Sequence, residues 1–266
     1  MQQFIVDAFT DKIFCGNPAA VCVLKKFLPD EIMLNIAKEN NLSETAFAVK
    51  EKNFYQLRWF TPTTEIDFCG HATLATAFVI FNFIEPELNS VNFQTQRGNF
   101  SVAKNKNLLE MNFLAYNYKK IPVTAEMSEA IGEKVLEAYL SRDLLLVIDS
   151  AEKVKNLQPN FEKLKNLEGL IQAVTAKSSD KNFDCFSRIF APKIKIFEDP
   201  VTGSTHCLIA PIWSKILNKN VLKCYQASER GGILQCEIEG DRVKILGDAV
   251  LFAKSEINID EKFVEE

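Results

Sequence analysis

The chain has only two histidines in 266 residues, His71 and His206, and none of its ten glycines form a G-x-G. Without that pattern or a G-K-[ST] triplet, the dinucleotide fingerprint and the P-loop are both excluded. No C-x-x-C joins the seven cysteines at 15, 22, 69, 185, 207, 224 and 236. An odd set so spaced fits reduced thiols, not a disulfide framework or a structural zinc site. No apolar run approaches about 18 residues, so no membrane-spanning helix is expected. The opening "MQQFIVDAF" lacks a basic stretch and a long apolar core, so we expect no signal peptide and a cytoplasmic location. N-x-S matches at Asn41 and Asn99 are then coincidental. Strong charge is missing too. With 31 basic and 35 acidic residues the net charge is -4, which gives no reason to expect nucleic acid or an anionic membrane as a partner.

What remains is ordinary soluble-protein material, 47% hydrophobic and 25% charged. The first half reads as strands around one apolar segment. "QQFIVDAF" and "AAVCVLKKF" are β-rich, Asp30 is placed to cap a short helix "EIMLNIAKEN", and "TAFAVKE" and "FYQLRWF" follow as strands. "ATLATAFVIFNF" is apolar on every side, the mark of a helix inside a core. Strand-like runs "SVNFQTQ", "NFSVAKN" and "LLEMNFL" close the half. The second half repeats the plan: a helix over "MSEAIGEKVLEAYL", strands "DLLLVIDS", "LIQAVTAK" and "FDCFSRIF", a second apolar helix "HCLIAPIWSKIL", and four more strands. Pro211 inside that helix is expected to kink it or to cost about 3 kcal/mol.

These spacings leave little room for repeated βαβ crossovers, so the expected fold is α+β with mainly antiparallel sheets, two halves meeting near residues 116–122. Each apolar helix begins after an acidic residue, a glycine and small polar residues: "EIDFCGHATLATAF" and "EDPVTGSTHCLIAPIW". A helix start offers unpaired N–H groups and a positive dipole end, and so attracts a carboxylate or an enolate. Two starts facing one cleft would grip an anionic ligand from both sides. From spacing alone both are also readable as ordinary caps.

Six stretches, "FCGNPAAV" (14–21), "NLSETAF" (41–47), "RWFTPTTEIDFCGHATLATA" (58–77), "FDCFSRIFAP" (183–192), "EDPVTGSTH" (198–206) and "QASERGG" (226–232), are colinear over nearly the whole chain. Together they resemble the PhzF-like isomerase family of phenazine biosynthesis. The resemblance implies a diaminopimelate-epimerase-like fold of two pseudo-symmetric halves, each a mainly antiparallel β-barrel around a central apolar helix, with the active-site cleft between them. The halves are then residues 1–116, joined by the last strand at about 257–266, and 117–256. It also implies a homodimer, no metal, no organic cofactor, and a small-molecule anionic substrate in which a proton moves between carbons.

Carried onto this sequence, the motifs make Glu44 the general acid/base, His71 a residue that hydrogen-bonds substrate or relays a proton, and Asp199 a residue that orients substrate or shares a proton. Gly70, Gly203 and Ser204 would hold the carboxylate. Read on residue type alone, Glu44 would be a solvated carboxylate, and His71 and Asp199 simple caps. His206 is as readily structural as functional. Racemases of the same fold use one thiol per half. Cys69 occupies the first thiol position and Thr202 the second, which disfavours a racemase and leaves Cys69 an apolar filler. Two residues apart at a helix start, Cys69 and His71 are not expected to face each other. Many relatives carry Gly-Ile-Asn before the second "EDP", whereas Lys195-Ile196-Phe197 stands here. Phe197 is therefore a candidate for reshaping the pocket. A binding or adaptor protein without turnover is the alternative outside enzymes.

Overall fold

A computed structural model describes residues Met1–Ile259. It is a sheet-dominated α/β structure in two compact units, one of Met1–Asn112 with the chain from Leu246 onward, the other of Phe113–Ile245. The first unit runs β1 (Gln2–Ala8), β2 (Asn17–Leu24), α1 (Asp30–Asn40), β3 (Glu44–Lys50), β4 (Tyr55–Phe60), β5 (Glu65–Ile66), α2 (Gly70–Val79), β6 (Ser90–Thr95), β7 (Gly98–Asn105) and β8 (Leu108–Leu114). The chain continues through β9 (Lys119–Ile121), α3 (Ala125–Ile131), β10 (Glu137–Leu140), β11 (Leu144–Val147), α4 (Ala151–Lys155), α5 (Phe161–Asn166), β12 (Gln172–Lys177), β13 (Cys185–Phe190) and α6 (Gly203–Leu217). It ends with β14 (Val221–Gln226), β15 (Gly232–Glu239), β16 (Arg242–Gly247) and β17 (Ala249–Glu256).

In the first unit β1 lies between β2 and β17, antiparallel to both. β2 and β3 run parallel, with α1 as the crossover, and the rest of the sheet is antiparallel apart from β4–β6. The apolar α2 packs on β1, β2, β3 and β17, and nine of its ten residues are buried. This is where an all-round apolar helix belongs. It runs on into one π-helical turn, Ile80–Ile84. The strand that returns to β1 is Ala249–Glu256, earlier than the 257–266 segment expected to do so; residues 260–266 lie outside the described residues. Asp30 does not cap α1: Pro29 is the N-cap, and the Asp30 carboxylate instead accepts from Arg58 Nη1 at 2.9 Å.

In the second unit β10–β11, β12–β13 and β14–β15 are antiparallel pairs, joined by parallel pairing of β11 with β12 and of β13 with β14. The helix expected over residues 127–140 is a correction. It stops at Ile131 because Gly132 takes a left-handed conformation (φ 74), and Glu137–Leu140 becomes a strand between β9 and β11. α6 packs on β14 and β15 and is unbroken across Pro211. A proline at 211 has no N–H for the Cys207 carbonyl four residues back. That carbonyl accepts from the Tyr116 N–H at 3.0 Å instead, so the orphaned acceptor is satisfied from outside the helix.

Among the described residues no helix is long and apolar enough to cross a membrane.

Candidate active site

Parallel pairing sets Ala19 of β2 opposite Glu44, the first residue of β3. Asn17 and Glu44 thus stand at the same end of neighbouring strands, where α2 begins. Glu44, Cys69 and His71 are 6–7% exposed and Asn17 is fully buried. His71 Nε2 lies 3.1 Å from Glu44 Oε2. The contact is a close charge pair without hydrogen-bond alignment, and neither atom has another hydrogen-bond partner. On the ring's other side Asn17 Nδ2 lies 3.1 Å and Cys69 Sγ 3.5 Å from Nδ1. Asn17 suits either charge state of the ring, since a half-turn of its amide exchanges donor for acceptor.

Burial alone would depress the His71 imidazolium, but the Cys69 sulfur and the Glu44 carboxylate beside it outweigh this and hold its pKa well above the ordinary value. The Cys69 thiol is pushed up to about 11, by burial first and by Glu44 second. The expectation that Cys69 and His71 do not face each other is overturned. Cys69 is the N-cap, with extended backbone (φ -147, ψ 113), so helical spacing does not apply to the pair. No side-chain hydrogen bond caps α2 and no acidic residue sits in its first turn. Its leading N–H groups at Gly70 and His71 therefore carry no side-chain cap among the described residues.

The second unit repeats the device with different letters. Thr202, the N-cap of α6, is extended like Cys69 (φ -118, ψ 92) and also makes no cap bond. Its hydroxyl donates to Asp199 Oδ2 at 2.5 Å. Buried Gln226 pins this turn: its Oε1 accepts from the Thr202 N–H at 2.8 Å and its Nε2 donates to the Asp199 carbonyl at 2.6 Å. Gly203 and Ser204 open the helix, and Arg142 Nη2 donates to Ser204 Oγ at 3.1 Å. The Arg142 fork is set by fully buried Asp143, which accepts from Nε at 2.9 Å and Nη2 at 2.7 Å and also from Thr205 at 3.0 Å. The guanidinium lies 5.0 Å over the Tyr116 ring. Its Nη1 makes no hydrogen bond among the described residues, and the side chain keeps 31% of its surface.

Residues 6–255 match the family of phenazine biosynthesis-like proteins, PhzC-PhzF. The chain belongs to this family. It is 43% identical to an uncharacterized isomerase of Halalkalibacterium halodurans, over 96% of this chain and 97% of that one. A PhzF-family crystal structure from Enterococcus faecalis superposes with a TM-score of 0.94 at 49% identity, covering 97% of this chain and 99% of that one. A hydroxyproline epimerase from Agrobacterium vitis (TM-score 0.57, 9% identity, 96% and 91% coverage) shares the fold alone.

Within this family member the structure gathers Glu44, Gly70 and His71 at one helix start and Asp199, Gly203 and Ser204 at the other. It adds Asn17, Gln226 and Arg142. Asn17 and Gln226 lie inside the family stretches "FCGNPAAV" and "QASERGG", so a signal existed. Arg142 sits on the β10–β11 turn with none. His206, fully buried, donates from Nδ1 to the Thr202 carbonyl at 2.8 Å, which ties the second turn of α6 to its N-cap. Phe197 is 66% exposed and rests its ring on Phe161 at 5.0 Å. Lys195 takes a left-handed conformation (φ 64) at the end of the 3₁₀ turn Pro192–Ile194.

Proposed function

We propose that the protein is a cofactor-independent isomerase that moves a proton between carbons of a small carboxylate-bearing metabolite. Glu44 is its general acid/base. The observation that carries this reading is the buried pair Glu44 Oε2 and His71 Nε2 at the uncapped start of α2, 3.1 Å apart and without other hydrogen bonds. Family membership and the isomerase named among its relatives support the reaction class.

In the proposed cycle the Glu44 carboxylate takes a proton from an acidic C–H and returns it to a different carbon, so atoms and charge balance without a co-reactant. The carbanion's charge spreads into the substrate's own carboxylate. Main-chain N–H groups at Gly70 and His71, and at Gly203 and Ser204, stabilise anionic oxygens as the charge develops. Such a step asks for no metal or organic electron sink, because the substrate supplies its own. His71 holds the Glu44 carboxylate and hydrogen-bonds substrate, and Asp199, fixed by Thr202, orients it. The proposal includes the family's arrangement of two pseudo-symmetric barrel halves whose helix starts serve one substrate, and a cytoplasmic homodimer.

Thr202 at the N-cap where a two-thiol racemase needs its second cysteine weighs against stereoinversion by thiols. A pure binding protein would have little use for a buried carboxylate–imidazole pair whose facing atoms make no hydrogen bond.

To test the reading, an extract enriched in small carboxylic acids is incubated in heavy water with native protein and with Glu44→Gln. Mass spectrometry follows deuterium uptake and new isobaric species. A compound converted by the native protein and about 10²–10⁴-fold more slowly by the variant supports it. Equal behaviour of the two proteins would sink the role of Glu44.

A further inference from the structure

The two ring nitrogens of His71 meet different company. Nε2 lies 3.1 Å from Glu44 Oε2, while Nδ1 lies 3.1 Å from Asn17 Nδ2 and 3.5 Å from Cys69 Sγ. Glu44 and Cys69 are thus the titratable groups beside the ring, one on each side, and Asn17 is the neutral neighbour. Asn17 is fully buried and is the first residue of β2, where pairing with Ala8 of β1 fixes its backbone.

A negative carboxylate oxygen that close to Nε2 favours a proton on it. Whether the ring holds a second proton is decided at Nδ1, since the bond made by one ring nitrogen sets the state of the other. With the amide nitrogen of Asn17 toward it, Nδ1 is the bare acceptor, because an NH₂ group can only donate. The ring is then neutral and its one proton sits on Nε2. With the amide turned by half, Oδ1 accepts from Nδ1–H and the ring is an imidazolium. A carboxylate at this position could serve only the second state, and an apolar side chain neither.

We propose that Asn17 is a positioning residue for His71: its amide confines the gain and loss of charge to Nδ1 and keeps a proton on Nε2, toward Glu44, in both charge states. The consequence for catalysis rests on the proposed isomerase activity; the pairing itself does not. A ring already protonated at Nε2 has no lone pair there for the proton that Glu44 takes from a C–H. His71 therefore serves as a hydrogen-bond donor to substrate, and the travelling proton stays with Glu44. The pKa of His71, held above its ordinary value, agrees with this arrangement, because a buried imidazolium needs the acceptor that the turned amide supplies.

The test is the ¹⁵N spectrum of histidine-labelled protein, titrated across the pH range in which it stays folded. With only two histidines in the chain, the signals missing from His71→Gln belong to His71. In native protein Nε2 is expected at the protonated position throughout, with any movement confined to Nδ1. A bare Nε2 at any pH overturns the proposal, and that observation needs no variant. Asn17→Leu removes donor and acceptor together at similar volume and should lower the proton affinity of Nδ1 about 10-fold or more. Asn17→Asp restores an acceptor and should bring that affinity back to the native value or above it. A folded Asn17→Leu that titrates like native protein makes Asn17 a mere strut and overturns the proposal. So does a folded Asn17→Asp whose affinity falls as far, since loosened packing would then be the cause. Where conversion is measurable, the limb of its pH profile that reports His71 should move with the Nδ1 midpoint in Asn17→Leu; a limb that stays put overturns the link to catalysis. An Nε2 protonated throughout, in a protein with no Glu44-dependent conversion, would refute the isomerase reading and leave the role of Asn17 standing. Glu44-dependent conversion with a bare Nε2 would do the reverse.

Discussion

Glu44 and His71, the first residue of β3 and the second of α2, meet at 3.1 Å and are 7% and 6% exposed. The partners that raise the His71 pKa exist only in the folded chain. Its unfolded pKa is near 6.5 and its folded pKa lies well above. A raised folded pKa gives stability that is complete below about 6.5 and lost as pH climbs through the folded value. The advantage of the native protein over His71→Gln in thermal unfolding should therefore shrink steadily from pH 6 to pH 9. A difference that stays flat across that range would mean that His71 does not hold its proton as described.

Gly16 precedes Asn17, whose amide lies 3.1 Å from Nδ1 of His71. The φ of Gly16 is +67, and a Cβ there would lie 2.2 Å from the Ala8 carbonyl oxygen and 2.7 Å from Thr10 Cγ2. Gly98 is also left-handed, at φ +108, but a Cβ there would meet nothing within 4 Å. The backbone strain of an alanine is about 1–3 kcal/mol at either position, and only Gly16 adds a collision with backbone. Gly16→Ala should exceed Gly98→Ala in destabilisation by about 2 kcal/mol or more in urea unfolding. It should also displace Asn17, the next residue, from His71. Equal losses for the two variants would remove the steric argument.

How far the sequence could be read depended on whether a feature was local. α2 was legible because every residue of "ATLATAFV" is apolar or small, and so was the likeness of the two helix starts. The helix misread over 127–140 turned on Gly132: the periodicity before it is helical, but "EAYL" after it is held by pairing with β9 and β11, which no local pattern announces. The consequence of Pro211 was hidden for the same reason, because its compensating donor, Tyr116, lies 95 positions away by subtraction. Each central helix is also preceded, five residues before its first residue, by a glutamate clamped in two hydrogen bonds by an arginine, Arg58 on Glu65 and Arg188 on Glu198. The glutamates are visible in the motifs; their partners emerge only from strand packing.

Arg142 is the site residue with no sequence signal, and its role can be separated from mere support. Asp143 and Ser204 occupy its Nε and Nη2 edge, and Nη1 makes no hydrogen bond among the described residues. Deleting the charge would strand buried Asp143, a loss of about 3–5 kcal/mol that would obscure the answer. Arg142→Lys keeps a cation beside Asp143 but removes the planar fork. For the substrate found in heavy water, a lost charge-assisted hydrogen bond of about 1.5–3 kcal/mol predicts a KM about 10- to 100-fold higher. A role for Arg142 in binding alone predicts little change in kcat. The unfolding temperature should fall by only a few degrees. A large fall in unfolding temperature with KM unchanged would instead make Arg142 a strut between the β10–β11 turn and α6, with no hand in binding.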